Sequence, residues 1–143
     1  MNLLIECAEL ARVIGDPDLR VIDCRFELLD PDAGQRQYAA GHIPGAVFAD
    51  LDRDLAAPAA GGTGRHPLPD ASTMARTFGR LGISNSSRVV VYDEDNGALA
   101  ARCWWLLRWL GHHNVTVLDD SAINLGDGVA KADMGTLTVA ADV

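Results

Sequence analysis

The sequence predicts an α/β domain: a mainly parallel sheet with helices on both faces. Three observations carry this. Short apolar runs alternate along the chain with segments of helical periodicity, the pattern of βα units rather than of hairpins. The run Val89-Val90-Val91-Tyr92 passes directly into a tight turn and then a long apolar helix, the strand–turn–helix unit of such folds. The chain has 143 residues, 48% of them hydrophobic, enough for one core and too few for two.

The elements follow in order. Residues 6–14 carry apolar positions at helical spacing and stop at Gly15-Asp16-Pro17. Residues 19–24, LRVIDC, form a short buried strand, and a short helix near 34–40 ends at Gly41. GAVFAD, 45–50, is a second brief strand. Residues 54–69 are rich in Gly and Pro and form an irregular excursion. Asp70 or Ser72 caps a helix running to about Leu81. SRVVVYD is the next strand, Ala98–Leu110 the longest helix, with Gly111 past its end, and NVTVLD, 114–119, a further strand. The domain therefore spans 1–120, and 121–143 reads as a linker-like or atypical tail with a weak strand-like GTLTVAADV.

The formal charge of −8 argues against nucleic acid as a partner, since phosphate binding needs a Lys/Arg surface. No stretch approaches 18 uninterrupted apolar residues, so no helical membrane span is expected, and the acidic N-terminal segment is unlike a signal peptide. Cys7, Cys24 and Cys103 are odd in number and lack CxxC spacing, which reads as reduced thiols in the cytoplasm rather than a disulfide frame or zinc site. No cofactor or metal is expected. His112-His113 are adjacent at a helix end, a poor arrangement for one ion.

The loop Asp93-Glu94-Asp95-Asn96-Gly97 sits where α/β folds usually keep a nucleophile or bind an anion, yet it is acidic. RVIDCR, YAAGHIPGAVFADLD, GRHPLP, VVVYD, ARCWWLLRWLG and VTVLDD occur in that order over residues 3–119. Together they resemble the N-terminal half of two-domain rhodaneses, the thiosulfate and 3-mercaptopyruvate sulfurtransferases. The resemblance implies a five-stranded, mainly parallel rhodanese-like sheet. In catalytic members the turn after the fourth strand carries a Cys that takes sulfur as a persulfide and passes it to cyanide or a thiol. That chemistry needs a thiolate among backbone N–H groups at a helix N-terminus.

Here no Cys stands in that turn. A carboxylate of Asp93 or Glu94 can occupy the same N–H groups as a permanent anion and cap the helix, with Asp93, Asp95 and Gly97 as the structural loop, but it cannot become a persulfide. The resemblance therefore implies a nucleophile-free half whose partner is a second, Cys-bearing rhodanese domain. It also implies that Phe26 walls the substrate cleft, that Asp52 and His66 reach the active site as accessory groups, and that Ala98 and Leu99 face the partner domain. Asp–His is a sensible orienting pair for moving protons near neutral pH, and loop anchoring is its plainer alternative.

Other readings compete. YDEDN also suggests the strand-end DxD of haloacid dehalogenase-type phosphatases, but that motif closes a first strand and is followed by Thr or Val, not Asn96-Gly97. Cys24 ends its strand near the edge where a site would form. It is a buried small hydrophobe or a substitute persulfide carrier, and Cys103 belongs to the core. Trp104, Trp105 and Trp109 read as packing residues. From a different class, the whole chain could be a stand-alone, non-catalytic rhodanese-like binding or regulatory module.

Overall fold

A computed structural model describes residues 3–59, 62, 64, 66–94, 97–119, 123–124 and 129–130. Five strands form one sheet in the order β1-β5-β4-β2-β3, and every adjacent pair is parallel. They are β1 (Leu4–Ile5), β2 (Leu19–Asp23), β3 (Val47–Phe48), β4 (Arg88–Tyr92) and β5 (Val115–Leu118). The helices are α1 (Cys7–Val13), α2 (Ala33–Ala40), α3 (Ala71–Arg80) and α4 (Ala98–Trp109).

Strand β4 lies at the centre and shows why the sheet needs helices on both sides. Val89 and Val91 face one apolar cluster with Met74 and Phe78 of α3 and Ala100, Cys103, Leu106 and Leu107 of α4. Val90 and Tyr92 face the opposite cluster with Cys7 and Leu10 of α1 and Tyr38 of α2. All four β4 side chains are fully buried. Successive residues of a strand point to opposite faces, so an unbroken apolar run is stable only between two covering layers.

Local chemistry sets the helix ends. Asp70, not Ser72, is the α3 cap: its Oδ1 accepts the Thr73 N–H at 2.8 Å, and the Ser72 hydroxyl donates to the same oxygen. Past α4, Gly111 takes the left-handed conformation (φ 94°) in which the chain turns into β5.

The structure departs from the sequence reading in four places. The second strand is only Val47–Phe48: the Ala49 N–H still reaches the Asp23 carbonyl, but from Asp50 the chain turns, its carbonyl accepting the Asp54 N–H at 2.8 Å. Leu4–Ile5, too short to show periodicity, is an edge strand on β5. Trp105 and Trp109 do not pack in the core. They are 46% and 40% exposed and stack on each other with centroids 5.7 Å apart, since the buried stripe of α4 runs through Ala100, Cys103, Leu106 and Leu107. Residues 121–143 contain a short antiparallel ribbon, β6 (Ile123–Asn124) with β7 (Val129–Ala130). The strand-like GTLTVAADV lies outside the described residues.

Candidate active site at the carboxyl edge of the sheet

After β2 the chain runs outward to β3; after β4 it runs the other way to β5. The gap between the carboxyl ends of β2 and β4 is thus the switch point of the sheet, where parallel α/β folds place their ligands. A cleft of about 320 Å³ opens there, lined by Arg25, Phe26, Glu27, Gln37, Glu94 and Leu99. A second cleft, of about 330 Å³, lies at the opposite, amino edge beside Phe78, Leu107, Leu110 and His113.

The floor of the carboxyl-edge cleft is a buried polar network. Asp23, fully buried at the end of β2, accepts from the Arg25 backbone N–H (3.0 Å), from Arg25 Nε and NH2, and from the Tyr92 hydroxyl (2.8 Å). Arg25 NH2 also donates to the Gly41 carbonyl at 2.7 Å, and the Tyr92 oxygen accepts the Ile43 N–H at 3.3 Å. Burial works against the Arg25 charge, but the Asp23 carboxylate outweighs it and holds the guanidinium above its ordinary value. Burial, then the Asp23 charge, pushes the Tyr92 hydroxyl far upward, so it remains a neutral donor. Gly34 of α2 rests on this floor. A Cβ there would lie 2.0 Å from the Arg25 carbonyl oxygen.

The Asp93 loop forms one wall. Asp93 is buried, its Oδ1 accepting the Gly97 N–H at 3.1 Å and its Oδ2 the Ala100 N–H at 2.8 Å. The residue at the helix cap, Gly97, is left-handed (φ 87°) and has no side chain, so Asp93 supplies the missing acceptor from four residues upstream. Glu94 does not share this work. It turns toward the cleft, 3.9 Å from Arg25 NH1. Asp95 lies outside the described residues. Ala98 and Leu99 are the first residues of α4; Ala98 is exposed and Leu99 lines the cleft.

Asp52 and His66 meet. The His66 Nε2–H donates to Asp52 Oδ1 at 2.7 Å, which orients the ring. Phe26 connects the pair to the cleft: it lines the cleft and packs edge-on against the His66 ring, with centroids 5.7 Å apart. Asp52 is aimed by a turn that the sequence reading missed. Buried Asp50 accepts the Asp52 and Arg53 N–H groups through Oδ1, and Asp54 reaches back to the Asp50 N–H. The alternation DLDRD is the signal, a reciprocal cap around a single helical turn.

The cysteines are core residues. Cys24 and Cys103 are 2% and 0% exposed. A hydrogen bond with Cys103, then burial, holds the Cys24 thiol well above its ordinary value, in the unreactive protonated form. This favours the small-hydrophobe reading over a substitute sulfur carrier. Cys7 Sγ–H donates to the Asp119 carbonyl at 3.4 Å. His112 bonds the Ser87 carbonyl through Nε2 at 2.9 Å. Among the described residues no group of three His, Cys, Asp or Glu is gathered for a metal ion, and no helix is long and apolar enough to cross a membrane.

A parallel sheet with a carboxyl-edge cleft, an acid-filled loop under a helix N-terminus and an Asp–His pair define a particular class of α/β domain. The Rhodanese-like domain family matches residues 6–122. This chain belongs to that family. It is 50% identical to a Pseudomonas aeruginosa protein provisionally assigned as a 3-mercaptopyruvate sulfurtransferase, over 84% of this chain and 43% of the relative. It is 40% identical to a Mycobacterium tuberculosis protein provisionally assigned as a thiosulfate sulfurtransferase, over 99% of this chain and 52% of the relative. Among solved structures it resembles the 3-mercaptopyruvate sulfurtransferase of Leishmania major, with a TM-score of 0.75 and 31% identity, over 82% of this chain and 32% of that one. The chain thus spans about half the length, or less, of these relatives.

Proposed function

We propose that this chain acts as the nucleophile-free half of a two-domain sulfurtransferase in the cytoplasm, supplying one wall of a cleft that a second, Cys-bearing rhodanese domain completes. The donor is thiosulfate or 3-mercaptopyruvate: the partner's Cys thiolate attacks the donor sulfur, sulfite or pyruvate departs, and the persulfide then passes its sulfur to cyanide or a thiol. The observation that carries the reading is Asp93. In the place of a sulfur-accepting thiol stands a buried carboxylate with both oxygens committed to backbone N–H groups. That anion caps the helix and has no route to a persulfide. The same commitment argues against phosphatase chemistry, in which Asp93 would have to be a free nucleophile.

Two further features support a partner domain. Exposed apolar residues stand close in sequence to the cleft and to His66: Leu28 and Leu29 just after Phe26 and Glu27, Leu68 after His66 and Pro67, and Ala98 before Leu99. Leu28 and Leu29 are 54% and 99% exposed, adjacent apolar side chains that a docked domain would cover. The relatives are also about twice as long as this chain or longer. Within the assembled cleft, His66 held by Asp52 serves as the proton-handling group contributed by this half.

The test is thiocyanate production from cyanide with either donor. The chain alone, and its Cys24→Ser/Cys103→Ser double variant, should give no turnover above the blank. Adding the part of the Pseudomonas relative that this chain does not match should give more turnover than that part gives by itself. Turnover by the chain alone that disappears in the double variant would refute the proposal. No binding and no stimulation by the added part would favour the stand-alone module.

A further inference from the structure

Asp52 and His66 flank a stretch rich in Gly and Pro. Between Leu55 and Pro67 the sequence contains Pro58, Gly61, Gly62 and Gly64, a composition that does not by itself specify where the stretch returns. Asp52 is fixed by the Asp50–Asp54 turn. His66 lies at the far end of the excursion, and its placement depends on what ties that end back. One tie is the Ala57 N–H donating to the Pro67 carbonyl at 2.9 Å.

The other tie comes from a different element. Arg102, on the second turn of α4, donates from Nε to the Leu55 carbonyl at 2.9 Å and from NH2 to the Pro67 carbonyl at 3.3 Å. Among the described residues no carboxylate pairs with it, and burial alone draws its charge below the ordinary guanidinium value. A half-buried cation that spends its donors on two loop carbonyls fixes the distance between them. A planar fork can do this; a single ammonium cannot span both with the same geometry. Leu55 is itself anchored, with its side chain buried and its N–H on the Asp50 carbonyl at 3.1 Å, so the fork measures His66's neighbour against a fixed point.

We propose that Arg102 is the positioning residue of the Asp52–His66 pair, clasping both ends of the 55–67 excursion so that the imidazole meets the carboxylate. The inference rests on the reading of that pair as accessory groups in sulfur transfer. It also links the two walls of the cleft, because Arg102 stands on the helix that Asp93 caps.

The experiment is ring-15N NMR on the histidine-labelled 143-residue chain, with His66→Asn to assign the His66 signals and Asp52→Asn to define them when the carboxylate contact is lost. In Arg102→Met the His66 signals should move to their positions in Asp52→Asn. His42, whose ring bonds the Tyr38 carbonyl in another part of the fold, should not move. Arg102→Lys keeps the charge and the packing stem, guards against a variant that fails to fold, and should restore the wild-type signals only in part. Wild-type His66 signals in both Arg102 variants would overturn the proposal, and so would equal displacement of His66 and His42. The underlying reading fails separately: His66→Asn with undiminished turnover in the complemented assay removes the chemical role of the pair and leaves the positional result standing.

Discussion

Two aspartates stand near one edge of this sheet, and the molecule uses them in opposite ways. Asp93 is 1% exposed and both its oxygens accept backbone N–H groups at the start of α4. The Asp52 side chain is 44% exposed and holds an imidazole. An anion enclosed by backbone donors is part of the fold and is unavailable to a substrate. An anion facing a histidine beside a cleft adds little to folding, and under the proposed function it orients that histidine. Residue type alone does not separate an enclosed acid from an open one here; the identity of the donor does.

Removing Asp93 should have the larger effect on the fold. Asp93→Ala leaves the Gly97 and Ala100 N–H groups without their acceptor and should lower unfolding free energy by about 1–3 kcal/mol in urea titration. Asp93→Asn retains a carbonyl acceptor and should fall between the variant and wild type. A loss no larger than that of an exposed substitution would break the contrast.

Asp52→Asn should stay within about 0.5 kcal/mol of wild type in the same titration, because the backbone N–H at 52, not its side chain, is what Asp50 holds. Its effect should appear instead in turnover of the complemented assay, as a fall in kcat.

A third aspartate sharpens the comparison by its pH dependence. Asp70 caps α3 in the open, as Asp93 caps α4 in the interior, and the Thr73 N–H holds its carboxyl below the usual value of about 3.9. A carboxyl depressed on folding stabilises above its unfolded value, and that contribution is lost as the pH falls through the lower folded value. The gap in melting temperature between wild type and Asp70→Ala should therefore be constant from pH 7 to about 5 and close below about pH 4. A gap that widened in acid would contradict the sign.

Much of this arrangement was legible in the chain. Helical spacing located α1, cap signals at Asp70 or Ser72 and at Gly111 marked helix ends, and the central strand declared itself by the unbroken apolar run Val89–Tyr92. The motif resemblance brought Phe26, Asp52 and His66 to one place, and they meet there. The features that escaped depend on partners distant in sequence. Strand β1 exists through its ladder with β5, more than a hundred residues away, and two residues carry no period of their own. Arg25 and Asp23 look like ordinary charged residues until Tyr92 and Gly41 close around them. Arg102 resembles any polar position on an apolar helix until the excursion folds onto it. Trp104 does pack against the core, but Trp105 and Trp109 were misjudged because aromatic bulk suggests the interior, whereas the side of the helix on which they fall decides.

The Asp23–Arg25–Tyr92 floor has a consequence for association rates and entropy. The ladder continues past the strands through the Cys24 N–H on the Tyr92 carbonyl and the Ala49 N–H on the Asp23 carbonyl, at 2.7 and 2.9 Å. The base of the cleft is thus an extension of the sheet rather than a set of loops. A surface already ordered before contact loses little conformational freedom when something settles on it, so under the proposed function rearrangement on docking would fall to the incoming domain. Complementation should accordingly proceed as a single bimolecular phase, with no slow step contributed by this half.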